Sequence, residues 1–168
     1  EVPFERLQDP YGRAFWPEFK GRDGARTPMP WLAEPGHGGF SDGQAEPWLP
    51  MFGPHVALAV DRQSQDPQSM LNFSRALLAW RRGQRLLRLG KIRFLDAPEP
   101  FLCFERYDGN EVLQAVFNLS GQRATLRLDR MLVPPPDSPF LGARLGGGLA
   151  LELPPYGVYM GVPIDAAA

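Results

Sequence analysis

Residues 1–65 carry no sustained hydrophobic period, neither helical nor alternating, and this limits the fold more than any other feature of the chain. Three of the four tryptophans (Trp16, Trp31 and Trp48) and much of the proline and glycine lie there. A stretch this long without secondary structure of its own makes a poor independent domain. It is expected to be an elaborate loop laid over a scaffold that these 168 residues do not contain. Hydrophobic residues make up 43% of the chain and aromatics 11%, so a real core is available elsewhere.

That core is expected further along. Met70, Phe73, Leu77 and Trp80 recur at three- and four-residue steps, which predicts a helix over about 67–82. Asp66 suits its cap and Pro67 its first position. Arg81 and Arg82 complement the dipole at its end, and Gly83 is a plausible stop. From Gly90 onward the pattern turns to β. Phe101–Tyr107 and Glu111–Leu119 read as strands joined by the turn Asp108-Gly109-Asn110. Ala124, Leu126 and Leu128 alternate with Thr125, Arg127 and Asp129, as one buried and one wet face require. Pro134–Pro136 break the chain. Leu149, Leu151 and Leu153 alternate again, and Pro154-Pro155 lead into a last strand over Tyr156–Val162. Several short strands with turns between them predict a small antiparallel sandwich.

Several chemistries find no support. The formal net charge of −1 gives no electrostatic case for nucleic acid or an anionic membrane. No run approaches the roughly 20 apolar residues of a membrane span. No basic region followed by an apolar run opens the chain, and a cytoplasmic location is expected. His37 and His55 are the only histidines, neither at ligand spacing from a Cys or His, so no metal is expected. Cys103, the lone cysteine, is expected to pack as a small hydrophobe. Asn72-Phe-Ser74 and Asn118-Leu-Ser120 fit the glycosylation pattern and read as chance. No dinucleotide fingerprint or phosphate loop occurs. Asp23, Asp42, Asp61 and Asp66 each have a plain reading as turn, cap or surface charge.

The densest polar cluster runs from Lys20 to Arg26 (KGRDGAR). A guanidinium is a planar fork that suits bidentate contact with a carboxylate or with sugar hydroxyls. Phe15, Trp16, Phe19 and Trp31 can wall a sugar site with their apolar faces. On spacing alone, a structural loop whose arginines hold neighbouring backbone is the favoured reading.

Longer motifs bear on that choice. They are Val2-Pro3-Phe4, Gln8–Gly12 (QDPYG), Phe15–Gly24 (FWPEFKGRDG) and Arg26–Trp31 (RTPMPW), followed by Gly39-Phe40-Ser41 and Pro47–Pro50 (PWLP). In this order, and with the segment from Asp66 to Arg81, they resemble the α-glucosidase and oligo-1,6-glucosidase branch of glycoside hydrolase family thirteen. The resemblance is good over residues 1 to about 90. Pro30 departs from the glutamine of many oligo-1,6-glucosidases, which favours the plainer α-glucosidase branch.

The resemblance implies an α+β fragment: the last loop and helix of a (β/α)8 barrel, then a C-terminal antiparallel β-sandwich domain. Residues 1–85 would end the catalytic barrel, with the long loop at 1–65, and residues 90–165 would form the β domain. The implied enzyme is a retaining α-glucosidase acting on terminal α-linked glucose in short oligosaccharides or sucrose-like substrates. Its nucleophile and acid/base carboxylates would stand roughly 5 Å apart. The family's three acids belong to motifs preceding the match, and no Asn-His-Asp occurs here. The catalytic acids are therefore expected outside this chain, and the isolated chain is expected to be inactive. The partners implied are the barrel portion that carries those acids and an oligosaccharide substrate, with no cofactor. By correspondence Arg22 and Arg26 lie beside the substrate. A non-catalytic β-sandwich module that binds carbohydrate or serves structure is the other reading.

Overall fold

The computed structural model describes residues 2–34 and 36–164. The outer bounds expected for the two segments, residues 1 and 165, lie outside the described residues. The chain forms two compact units, Glu1–Ser74 and Arg75–Ala168.

The first unit is mostly irregular backbone with short helical turns. Helix α1 (Pro10–Ala14), helix α2 (Gly53–Val56) and helix α3 (Val60–Gln65) interrupt it, with a 3-10 turn at Asp23–Arg26. None of these helices reaches two full turns, so none leaves a 3.6-residue period in the sequence. Val2, Leu7 and Leu49 form a small buried cluster, with Trp16 packed against it. Asp9 caps α1: its carboxylate accepts the Tyr11 N–H at 3.2 Å, and Pro10 occupies the first turn.

Helix α4 spans Met70–Gly83 rather than beginning at Pro67. Asp66 instead closes α3, and its carboxylate accepts the Gln68 N–H at 2.9 Å. The hydroxyl of Ser69 accepts the Asn72 N–H at 3.1 Å, so serine takes the capping role expected of Asp66. Gly83 is still helical, and helix α5 (Arg85–Leu89) follows after Gln84. The Asn72 amide donates to the carbonyls of Gln63, Ser64 and Asp66, so this asparagine ties the α3–α4 connection together.

The second unit holds two antiparallel sheets. Strands β1 (Lys91–Leu95), β2 (Phe101–Asp108), β3 (Glu111–Asn118), β4 (Ala124–Arg127), β5 (Met131–Val133), β6 (Arg144–Leu145), β7 (Ala150–Leu153) and β8 (Val158–Ile164) follow in chain order. One sheet has the order β1-β2-β3-β8-β5, the other β4-β7-β6. The hairpin β2–β3 turns at Gly109-Asn110, where Gly109 has φ 56°. Cys103, Val116 and Leu132 of the larger sheet cluster with Leu126, Leu151 and Leu153 of the smaller one. Cys103 is part of this core, and burial pushes its thiol up. A second cluster gathers Trp80, Leu113, Ala115 and Met160, and the Trp80 indole donates to the Pro136 carbonyl at 3.1 Å.

Two buried polar groups organise the sheets. Glu105 on β2 accepts Nε and Nη2 of Arg93 (3.1 and 2.5 Å) at one oxygen and Nη2 of Arg130 at the other. Asn118, also buried, donates its amide to the carbonyls of Gln122 and Pro154 and accepts from the Ser120 N–H and hydroxyl. Its amide hydrogens are thus committed to backbone, which gives this asparagine a structural use.

Candidate functional site

The polar cluster foreseen at Lys20–Arg26 is assembled in the first unit around a carboxylate from an earlier segment, Asp9. Nε of Arg22 lies 2.8 Å from Oδ2 of Asp9 and Nη2 lies 3.2 Å from Oδ1. The backbone N–H of Arg22 donates to the same Oδ2 at 2.8 Å. Asp9 is buried, whereas the Arg22 side chain remains 60% exposed. Among the described residues Nη1 of Arg22 meets no acceptor.

A second acid supports the first. Asp23 is fully buried, and its Oδ2 accepts the backbone N–H groups of Gln8 (2.6 Å) and Asp9 (2.7 Å). Its Oδ1 faces Nη1 of Arg26 at 3.6 Å and has no hydrogen-bond partner among the described residues. Arg26 keeps 44% of its side chain exposed. The motif thus places its two arginines at the surface and its aspartate inside.

Glycines set the spacing. Gly12 and Gly21 stand back to back: a Cβ on Gly21 would lie 2.9 Å from the Cα of Gly12, and one on Gly12 would lie 2.8 Å from the Lys20 carbonyl oxygen. Gly21 also has φ 72°, a conformation side chains resist. Only with both glycines can the segments bearing Asp9 and Arg22 approach closely enough for the ion pair.

The electrostatics follow from this packing. The Arg22 guanidinium hydrogen-bonded to Asp9 holds that carboxyl well below the usual carboxylate range. The N–H groups of Arg22 and Tyr11 pull in the same direction, while burial opposes them. Asp9 in return raises the pKa of Arg22. A depressed folded-state pKa adds stability above the unfolded value of about 4 and loses it as acid titrates the folded carboxylate. Acidification below about pH 4 should therefore weaken the wild-type unit, with a slope of up to about one proton. Asp9→Asn should flatten that slope; equal slopes in urea titrations at pH 2–5 would contradict the assignment.

The aromatic residues behave unequally. Phe15, Phe19 and Trp31 are exposed, and Phe15 stacks on Tyr11 with ring centroids 6.2 Å apart. Trp16 instead packs inward and lies 5.9 Å from the Phe4 ring. His37 contacts the Ser41 hydroxyl through Nδ1 at 2.8 Å, and the ring of His55 lies edge-on to Phe52. Among the described residues no three of His, Cys, Asp or Glu are grouped as a metal site. Asp9 is the site residue that sequence reasoning missed. Its signal was the Asp-Pro pair opening a short helix.

Asp9, Arg22, Asp23 and Arg26 all fall within residues 7–90, which match the family model for the alpha amylase catalytic domain. The chain belongs to the alpha-amylase family. The probable alpha-glucosidase of Rhizobium meliloti (strain 1021) is 45% identical over 135 residues, which are 80% of this chain and 24% of that protein. The oligo-1,6-glucosidase of Halalkalibacterium halodurans is 36% identical over 105 residues, 61% of this chain and 18% of that protein. The crystal structure of the alpha-glucosyl transfer enzyme XgtA superposes with a TM-score of 0.87 at 42% identity, covering 98% of this chain and 30% of XgtA. The chain thus spans about a quarter of the length of the curated relative first compared, and less of the second.

Proposed function

We propose that this chain is the C-terminal portion of a retaining α-glucosidase and that Arg22 and Arg26 border its sugar site. Residues 1–85 would close the catalytic barrel, and the two sheets would form a C-terminal β-sandwich. The observation that carries this reading is the Arg22 guanidinium. One edge is saturated by a buried carboxylate, while the side chain stays 60% exposed and its Nη1, which meets no acceptor among the described residues, can donate to sugar hydroxyls. The similarity to alpha-glucosidases over most of the chain supports the substrate class, terminal α-linked glucose in short oligosaccharides or sucrose-like sugars.

The chemistry of retention needs a carboxylate nucleophile and a carboxylic acid close together. In this reading those acids lie in the barrel portion outside the chain. Asp9 and Asp23 are committed to Arg22 and to backbone N–H groups, which suits them to support and not to attack. Water or a sugar hydroxyl can resolve a covalent glycosyl-enzyme. The 98% coverage by the alpha-glucosyl transfer enzyme favours transfer as the second reading.

Steady-state kinetics test the proposal. In the full-length enzyme Arg22→Ala should lower kcat/KM for p-nitrophenyl α-glucoside by about 10- to 100-fold, measured at a temperature where the variant, which leaves the buried Asp9 carboxylate without its guanidinium, is still folded. The isolated 168-residue chain should show no turnover of the same substrate. Unchanged kinetics in Arg22→Ala would remove the arginine from the site. Turnover by the isolated chain would overturn the placement of the acids. The ratio of transglucosylated to hydrolysed product with maltose separates the two readings.

A further inference from the structure

We propose that Asp9 is the positioning residue that aims Arg22, and that Asp23 fixes Asp9 in turn. This rests on the reading that Arg22 meets the sugar. An exposed arginine would ordinarily sample many rotamers, and ordering it on binding costs affinity. Here one carboxylate holds Arg22 at both ends, taking its backbone N–H and the Nε–Nη2 edge of its side chain. That closes the residue onto a single acceptor and leaves Nη1 without an acceptor among the described residues.

Asp9 can do this because it is itself immobile. It is buried, its Oδ1 also takes the Tyr11 N–H, and its own N–H is held by Asp23 at 2.7 Å. Gln8, one residue earlier, is held by the same Asp23 oxygen. The order of support is therefore Asp23, then the backbone at Gln8–Asp9, then the Asp9 carboxylate, then Arg22. Each link joins segments separated by 13 to 15 residues, so the arrangement is tertiary and not a local turn. The motif's aspartate acts on its neighbouring arginine only through this detour.

Asparagine at position 9 keeps the shape and one acceptor oxygen. It loses the charge and sets an N–H₂ against donors of Arg22. The test is a double-mutant cycle in the full-length enzyme with p-nitrophenyl α-glucoside, with melting temperatures measured alongside. Asp9→Asn should lower kcat/KM by about 10- to 100-fold when Arg22 is present. It should add little in the Arg22→Ala background, because there is no guanidinium left to aim. Arg22→Lys keeps a cation but cannot bridge both oxygens, and it should also lose most of the effect. It serves if Asp9→Asn does not fold.

The outcomes separate cleanly. If Arg22→Ala is impaired but Asp9→Asn keeps wild-type kcat/KM, or if Arg22→Lys does, the aiming role is overturned while the sugar-site reading stands. If the two losses simply multiply, Asp9 acts through something other than Arg22 and the proposal falls. If Arg22→Ala itself is unaffected, the underlying reading fails and takes this one with it.

Discussion

Gly21→Val should collapse the Asp9–Arg26 loop. Valine at φ 72° is strained by about 1–2 kcal/mol before any contact is considered. Its Cβ would then lie 2.9 Å from the Cα of Gly12, 3.0 Å from its nitrogen and 3.1 Å from the Cβ of Asp9. Two of these neighbours are backbone and cannot rotate away. The combined cost should be about 3 kcal/mol or more, since the backbone must part to admit the side chain. Parting the backbone also draws Asp9 from Arg22. Gly24→Ala is the matched control: nothing lies within 4 Å of its added Cβ, and its φ is not positive. Chemical denaturation of both variants decides the matter, because similar midpoints would mean that the close approach is dispensable.

The second large effect is expected at Asp23. Alanine there strands the N–H groups of Gln8 and Asp9, which now share one buried oxygen. Unsatisfied buried donors cost about 1–3 kcal/mol each, and Gln8 lies partly in reach of water, so a loss of about 3 kcal/mol is expected. Arg26 loses its counter-charge but is exposed enough to be solvated. Asp23→Asn retains an acceptor oxygen and should recover more than half of the loss. If alanine and asparagine destabilise equally, the charge matters more than the acceptor. If neither destabilises, the bonds are not structural.

What the sequence made legible was local. The β2–β3 hairpin was readable because Asp108-Gly109-Asn110 demands a turn between two apolar runs, and the structure turns there. The alternation at Ala124, Leu126 and Leu128 and at Leu149, Leu151 and Leu153 predicted buried faces; Leu126, Leu128, Leu151 and Leu153 are core, while Ala124 and Leu149 are only partly buried. The start of α4 was misjudged because Pro67 and Ser69 both carry start signals; the hydroxyl of Ser69 and not the carboxylate of Asp66 meets the free N–H. In the candidate site, Arg22 and Arg26 were singled out through resemblance, and Asp23 was seen as one of several carboxylates without special standing. Asp9 could not be found by spacing, since its partners lie 13 and 14 residues away and depend on two glycines meeting. Glu105 was hidden differently. It occupies an inward position between Cys103 and Tyr107, where periodicity predicts an apolar residue.

Glu105 bears on the fidelity with which the larger sheet assembles. Arg93 lies directly opposite it in the β1–β2 register. Sliding β1 by one residue would bring Ile92 or Phe94 against the buried carboxylate and turn Arg93 to the far face. The ion pair thus penalises the shifted pairing as well as favouring the native one. Its second partner, Arg130, immediately precedes β5, so one carboxylate fastens elements at both margins of the five-stranded sheet. A single glutamate therefore ties both margins of this sheet to β2 and penalises mispairing of β1.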